Sequence, residues 1–261
     1  MSFFKKVLSS VGIGSATVDA VLHNSQVTPG ELLSGTVEVK GGSTEQQINH
    51  IELHLCCNYF SEESYTDDDD NEHTRVIEHT ATIAHARVSE GFKLQSEEAL
   101  SFDFEFQLPS FTPLSLGKSQ VWLETDLDID YALDKSDRDV VHVVPNEAQA
   151  AVLDAMTQLG FGLVEVECEQ SRQLGGEFVQ EFEFKAQGGD FRGRVDEVEM
   201  LLVNADHQLE ILLEVDRRAR GLGGLFAEML GRDESQMWLH LHHSDLDQAA
   251  ELLYQAIDDH C

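Results

Sequence analysis

The chain predicts a mainly β protein built as two tandem β-sandwich domains, and three observations carry that expectation. Apolar and polar residues alternate with period two in many short runs, clearest in Leu100-Ser-Phe-Asp-Phe-Glu-Phe-Gln-Leu108, which places one strand face in a core and the other in water. Turn-forming pairs such as Pro29-Gly30, Gly41-Gly42, Gly175-Gly176 and Gly188-Gly189 punctuate the runs. A helical pattern after Val144-Pro145 separates two strand-rich blocks, and 261 residues are ample for two domains of about 100–150 residues each.

Strand runs fill both blocks. In the first, Ile51, Leu53, Leu55 and Tyr59 alternate with His50, Glu52, His54 and Asn58, and Val121, Leu123, Leu127 and Ile129 repeat the pattern. In the second, Phe178, Phe182 and Phe184 precede Leu209, Ile211, Leu213 and Val215. Three helices frame them. Phe3, Phe4, Val7, Leu8 and Val11 share one side of a short N-terminal helix, with Lys5 and Lys6 toward water. A connecting helix runs from Asn146 to about residue 159, opened by an Asn-x-x-Gln capping box and striped by Ala151, Val152, Met156 and Leu159. The last helix covers about 244–258, where Leu246, Ala249, Ala250, Leu253 and Ile257 fit helical spacing. The expected domains are residues 1–145, with the leading helix, and 161–261, with the terminal helix, joined by the connecting helix 146–160.

Charge narrows the function. Seventeen basic against 49 acidic side chains leave −32, which excludes a general binder of nucleic acid or anionic membrane. No apolar run reaches the roughly 18 residues of a membrane span. The short N-terminal helix therefore favours packing against a sandwich or a second subunit over dipping into lipid. Four scattered cysteines fit neither a disulfide framework nor a zinc site, and the N-terminus does not read as a secretory signal, so the cytoplasm is expected.

Several clusters invite a chemical reading. Glu124, Asp126, Asp128 and Asp130 project from one strand face, but as a calcium loop they fail because Tyr131 stands where glycine is needed. Asp67-x-Asp69-x-Asn71 fails in the same way at Glu72, so 67–70 reads as an acidic loop between strands. Of 12 histidines, His240 and His242 share a strand face without a third ligand in view, while His73, His79 and His85 are spread along one strand. No catalytic nucleophile motif or phosphate-binding lysine loop occurs, so no catalytic residue, cofactor or metal ligand is assigned. The informative anomaly is Arg217-Arg218-x-Arg220, a concentration of cations in an acidic chain. Its guanidinium forks suit carboxylates, and Asp134, Asp137 and Asp139 are the candidate partners in an interaction site or inter-domain latch.

The chain also resembles the bacterial sporulation-control protein family. The residues that carry the resemblance are Ser2–Gly14, Pro29-Gly30-Glu31, Gly41-Gly42, Leu127–Asp134, Asp137-Arg-Asp139, Phe178–Phe184, Phe191–Glu197 and, most specifically, Glu214–Phe226. The resemblance implies an arrestin-like fold of two β-sandwiches and a regulatory, non-enzymatic role. It supplies no catalytic residues, and because the family also occurs in bacteria that form no spores, it names no process. The expected function is a cytoplasmic regulator or scaffold that holds protein partners of unknown identity by sheet edges and loops. Edge pairing equally allows a homodimer. The competing expectation is a divalent-metal-responsive protein using the acidic loop and histidines.

Overall fold

Alternation becomes strand almost wherever it occurs. The computed structural model describes residues 15–24, 26–67, 70–130, 134–171, 176–216 and 236–261. The expected N-terminal helix, the stretch Arg217–Arg220 and the centre of the acidic loop lie outside the described residues. In chain order the strands are β1 (Thr17–Leu22), β2 (Leu32–Lys40), β3 (Gln46–Thr66), β4 (Glu72–Ser89), β5 (Phe92–Leu94), β6 (Ala99–Gln107), β7 (Val121–Ile129) and β8 (Lys135–Val140). After α1 (Glu147–Gln158) come β9 (Phe161–Gln170), β10 (Phe178–Ala186), β11 (Glu197–Asn204), β12 (Gln208–Asp216) and β13 (Gln236–His242), then α2 (Ala249–Asp259).

The chain divides into two compact units, and not at a single point. One comprises Met1–Cys56, Thr82–Pro109 and Val121–His142; the other comprises Cys57–Ala81, Ser110–Gln120 and Val143–Cys261. The connecting helix thus belongs to the second unit, together with the far half of the β3–β4 hairpin and the segment before β7.

In the first unit, β1, β2 and β6 form an antiparallel sheet in that order. A second sheet places β7 between β3 and β8, with β4 and β5 also paired to β3. The alternate side chains Val18, Ala20, Leu33, Val37 and Val39 are buried, as are Ile51, Leu53, Leu55, Val121, Leu123 and Leu127. Gly35 on β2 permits a close approach: a Cβ there would sit 2.6 Å from the Phe104 ring and 2.7 Å from the Val21 carbonyl.

In the second unit, β9 to β13 form an antiparallel meander, and Phe60 of β3 pairs in parallel with Glu169 of β9. One face of the meander presents Val166, Cys168, Phe182, Phe184, Met200, Ile211 and Leu213, all buried. The helices supply the matching apolar stripe, with Val152 and Met156 on α1 and Leu253 and Ile257 on α2 also fully buried. Phe161 and Phe191 meet in a tilted contact at 5.6 Å, and Tyr254 of α2 meets Phe191 at 5.1 Å.

Both helices differ in detail from their expected form. The capping box of α1 is present, with the Gln149 N–H donating to Asn146 Oδ1 and the Asn146 N–H to Gln149 Oε1. Its buried stripe is Ala148, Val152, Ala155 and Met156, while Leu159 is the C-cap. The last helix opens with a single 3-10 turn, Leu246–Gln248, and becomes α-helical only at Ala249.

Candidate functional site

Of the residues expected to form a latch, the structure brings Asp137 and Asp139 together with a residue the sequence did not mark. Both acids lie on β8, two positions apart and therefore on one strand face. Asp19 on β1 completes the group, and one carboxylate oxygen from each lies within 4.8 Å of the others. The contact follows from how the first unit closes at β1: the Ala20 N–H donates to Asp137 Oδ2 at 3.1 Å, a bond that a further strand would otherwise supply. Asp139 Oδ2 is buried without a hydrogen-bond partner among the described residues. Burial and the neighbouring Asp137 push Asp139 up to about 7 and Asp19 up to about 6. Arg138, between the two β8 acids, points to the other strand face and lies over the Trp122 ring at 3.6 Å. Asp134 stays apart, exposed, where its Oδ1 accepts the Ile129 N–H.

The acidic ladder of β7 is answered from β3. His54 reaches Asp126 at 3.4 Å, His50 reaches Asp128 at 3.4 Å, and the Asn49 amide donates to Asp128. Glu52 lies near both imidazoles and accepts from Arg87 at 2.6 Å. This is an alternating surface network rather than a chelating site. His73 and His79 are likewise engaged locally, with Asp67 at 2.7 Å and Ser61 at 2.8 Å. His240 contacts the Gln208 amide at 3.3 Å, and both His240 and His242 are exposed.

A larger constellation covers the meander face away from the helices. Strand register aligns Glu165, Glu183, Glu199 and Glu214 side by side on β9, β10, β11 and β12, followed by Gln236 on β13. The adjacent row reads Glu167, Glu181, Leu201, Leu212 and Trp238. Neighbouring strands lie about 4.8 Å apart, so like charges directly opposite one another repel. Two lysines relieve the flanks. Lys118 bridges Glu165 and Glu167, the latter at 2.8 Å, and Lys185 bridges Glu183 at 2.7 Å and Glu197 at 3.4 Å.

Among the described residues the middle has no such relief. Glu181 is only 8% exposed, and its Oε2 has no hydrogen-bond partner among the described residues. Burial first, then Glu199 and the other surrounding glutamates, push Glu181 up to about 9. Glu199 rises to about 8, through burial and then Glu214, and Glu169 rises for similar reasons. Val179, Leu201 and Leu212 form a small buried cluster on this same face. The signal was present in sequence as Glu165-Val-Glu-Cys-Glu169 and Glu181-Phe-Glu183, but only register shows that these runs face each other.

Comparison with known proteins places this arrangement in a family. The family model described as SpoOM protein (Spo0M) matches residues 4–219. The sporulation-control protein spo0M of Bacillus subtilis strain 168 is 42% identical over 256 residues, covering 97% of this chain and 95% of that protein. The crystal structure of Spo0M from Bacillus subtilis matches with a TM-score of 0.82 at 39% identity, covering 95% of this chain and 100% of that one. With its mainly β architecture and the match running along nearly the whole sequence, the chain belongs to the SpoOM sporulation-control protein family.

Proposed function

We propose that this protein is a non-catalytic regulator that acts by holding protein partners on its sheet surfaces and edges, in an arrestin-like manner. The observation that carries the reading is geometric. The polar side chains of the second unit are set out in rows across neighbouring strands, at strand spacing, which suits an extended partner surface. Catalysis instead requires groups converging within hydrogen-bond reach of one reacting atom. The relative's designation as a sporulation-control protein supports a regulatory role. Trp238, 42% exposed on the last strand of the meander, adds the kind of aromatic anchor that interfaces favour.

The reading places the protein in the cytoplasm, supported by Cys56, Cys57 and Cys168 as buried thiols outside any disulfide. Burial pushes the Cys168 thiol up to about 12, so it stays protonated and unreactive. Among the described residues no helix is long and apolar enough to cross a membrane. A second copy of the chain is one partner the edges would accept.

The test is crosslinking in living cells followed by purification of the tagged protein at low and high salt. A reproducible set of partners whose yield falls as salt rises supports the reading; turnover of any small molecule by the pure protein, or an absence of crosslinked partners, overturns it. One observation favours a second reading, a divalent-cation response: the convergence of Asp19, Asp137 and Asp139 around the unpartnered Asp139 Oδ2. Calorimetry with millimolar calcium or magnesium decides it, because a real site yields heat and a higher melting temperature, both abolished by Asp139→Asn.

A further inference from the structure

The two lysines on the glutamate face show what the middle of that face lacks. Lys118 seats its ammonium between Glu165 and Glu167, and Lys185 seats its own between Glu183 and Glu197. Each therefore satisfies two neighbouring carboxylates with one cation. Between them, no lysine or arginine among the described residues bridges Glu169, Glu181 or Glu199. Glu181 is the sharpest case, because a carboxyl more than nine-tenths buried with an unpartnered oxygen costs free energy that folding alone does not recover. The cost is compounded by the cross-strand series Glu165, Glu183, Glu199 and Glu214, where each member faces a like charge.

We propose that the middle of this face, Glu181 with Glu199 and Glu169, receives the lysine or arginine side chain of a basic segment from a partner protein. This rests on the interaction reading above and names its site and the partner's chemistry. Charge complementarity selects the occupant: with 49 acidic against 17 basic side chains, the chain offers an incoming cation far more partners than its own cations can satisfy. A long basic side chain suits the surroundings as well as the charge. Its methylenes lie along apolar surface while the head reaches a carboxylate; Leu201 and Leu212 in the row of Glu181 are already buried, and Trp238, 42% exposed at the end of that row, is the apolar surface it offers. From Glu167 to Trp238 that row crosses four strand gaps, about 19 Å at the usual spacing, or roughly six residues of extended chain. A compact metal ion fits less well, since among the described residues the glutamates do not form a cluster of the tightness seen at Asp19, Asp137 and Asp139.

The probe is a fluorescently labelled twelve-residue peptide of alternating arginine and serine, titrated with the full-length protein at near-physiological salt and followed by anisotropy. Glu181→Gln with Glu199→Gln should weaken binding at least tenfold. Because the double variant removes repulsion, it should fold at least as well as the parent, which circular dichroism verifies. Asp126→Asn with Asp128→Asn makes the matching two carboxyl-to-amide changes in the first unit and should stay within twofold of the parent. Equal weakening by both pairs would reduce the effect to net charge and overturn the site. So would tighter binding by tenfold or more after Arg217, Arg218 and Arg220 are changed to Gln, which would make this chain's own basic stretch the occupant. The wider interaction reading has a separate readout: if in-cell crosslinks survive Glu181→Gln with Glu199→Gln unchanged, only the site fails, whereas their absence from the parent protein sinks the reading itself.

Discussion

Asp139 shows how a single side chain can carry a measurable strain. Its carboxyl is raised to about 7 by burial and by Asp137, and Asp19 is raised to about 6, so deprotonating the group sets like charges against one another. A carboxyl whose folded value lies above its unfolded one adds stability that is complete below the unfolded value, near 3.8, and is lost as pH rises through the folded value. Asp139→Asn keeps the shape and removes the charge. At pH 8 it should stabilise the protein by about 1 kcal/mol after allowance for solvent screening. Near pH 4 the difference should vanish. Urea melts at the two pH values check this, and an equal effect at both would mean that titration is not the cause. The Asn146 cap gives the opposite sign. Its Oδ1 accepts the Gln149 N–H and its amide donates to Asn204 at 2.8 Å, so Asn146→Ala should cost about 1–2 kcal/mol, whereas Asn146→Asp, which keeps the acceptor, should recover more than half of the loss.

At the scale of elements, α2 ties its stripe to the helix-covered face of the meander through Leu253 and Ile257, both fully buried. Leu253→Ala should destabilise the protein by about 2–5 kcal/mol, the range for a large-to-small change in a packed core. Changing Leu246, which is only part-buried in the 3-10 turn, should cost less than half as much; a reversed order would show that the turn anchors the helix. These elements were legible because their signals are local. The Asn146–Gln149 capping box joins residues three positions apart, and the alternation from Leu100 to Gln107 lies within one strand. The sites were much less legible because they are built by pairing. The Ala20 N–H meets Asp137 across 117 positions, and Asn49 meets Asp128 across 79. The β7 ladder is visible in sequence as isolated negative charge, yet the imidazoles that answer it come from β3. The glutamate rows depend on the registers of four strands, one of them shifted by an irregularity between Glu183 and Phe184. Composition announced the acidity; only register shows which acids confront each other.

Across the whole molecule these local strains act in one direction, and the last prediction follows from their sum. Asp19, Asp139, Glu199 and Glu181 are raised to about 6, 7, 8 and 9, so they lose protons in succession between mild acid and mild base. Each contributes stability at low pH that fades as pH climbs through its folded value. Glu45 and Glu52 are shifted the other way by Gln95 and Lys93 and by Arg87, so their contribution is present at neutral pH and fades only as pH falls below the ordinary carboxylate range. Both lie at the surface, where such pairs contribute little. The raised group therefore dominates, and the formal charge of −32 adds a general self-repulsion that salt screens. At low ionic strength the melting temperature should be highest near pH 5 and fall steadily towards pH 9, and molar sodium chloride should recover part of the loss at the alkaline end. Glu181→Gln with Glu199→Gln should lessen the fall across the whole span from pH 5 to about 9, since both glutamates lose stabilisation from their unfolded value up to their folded one, and the effect should be clearest above pH 7, where the aspartates have stopped contributing. A melting temperature that rises with pH, or an alkaline loss that salt deepens, would show that the buried carboxyls are already neutralised in solution by a cation that binds more tightly than their protons.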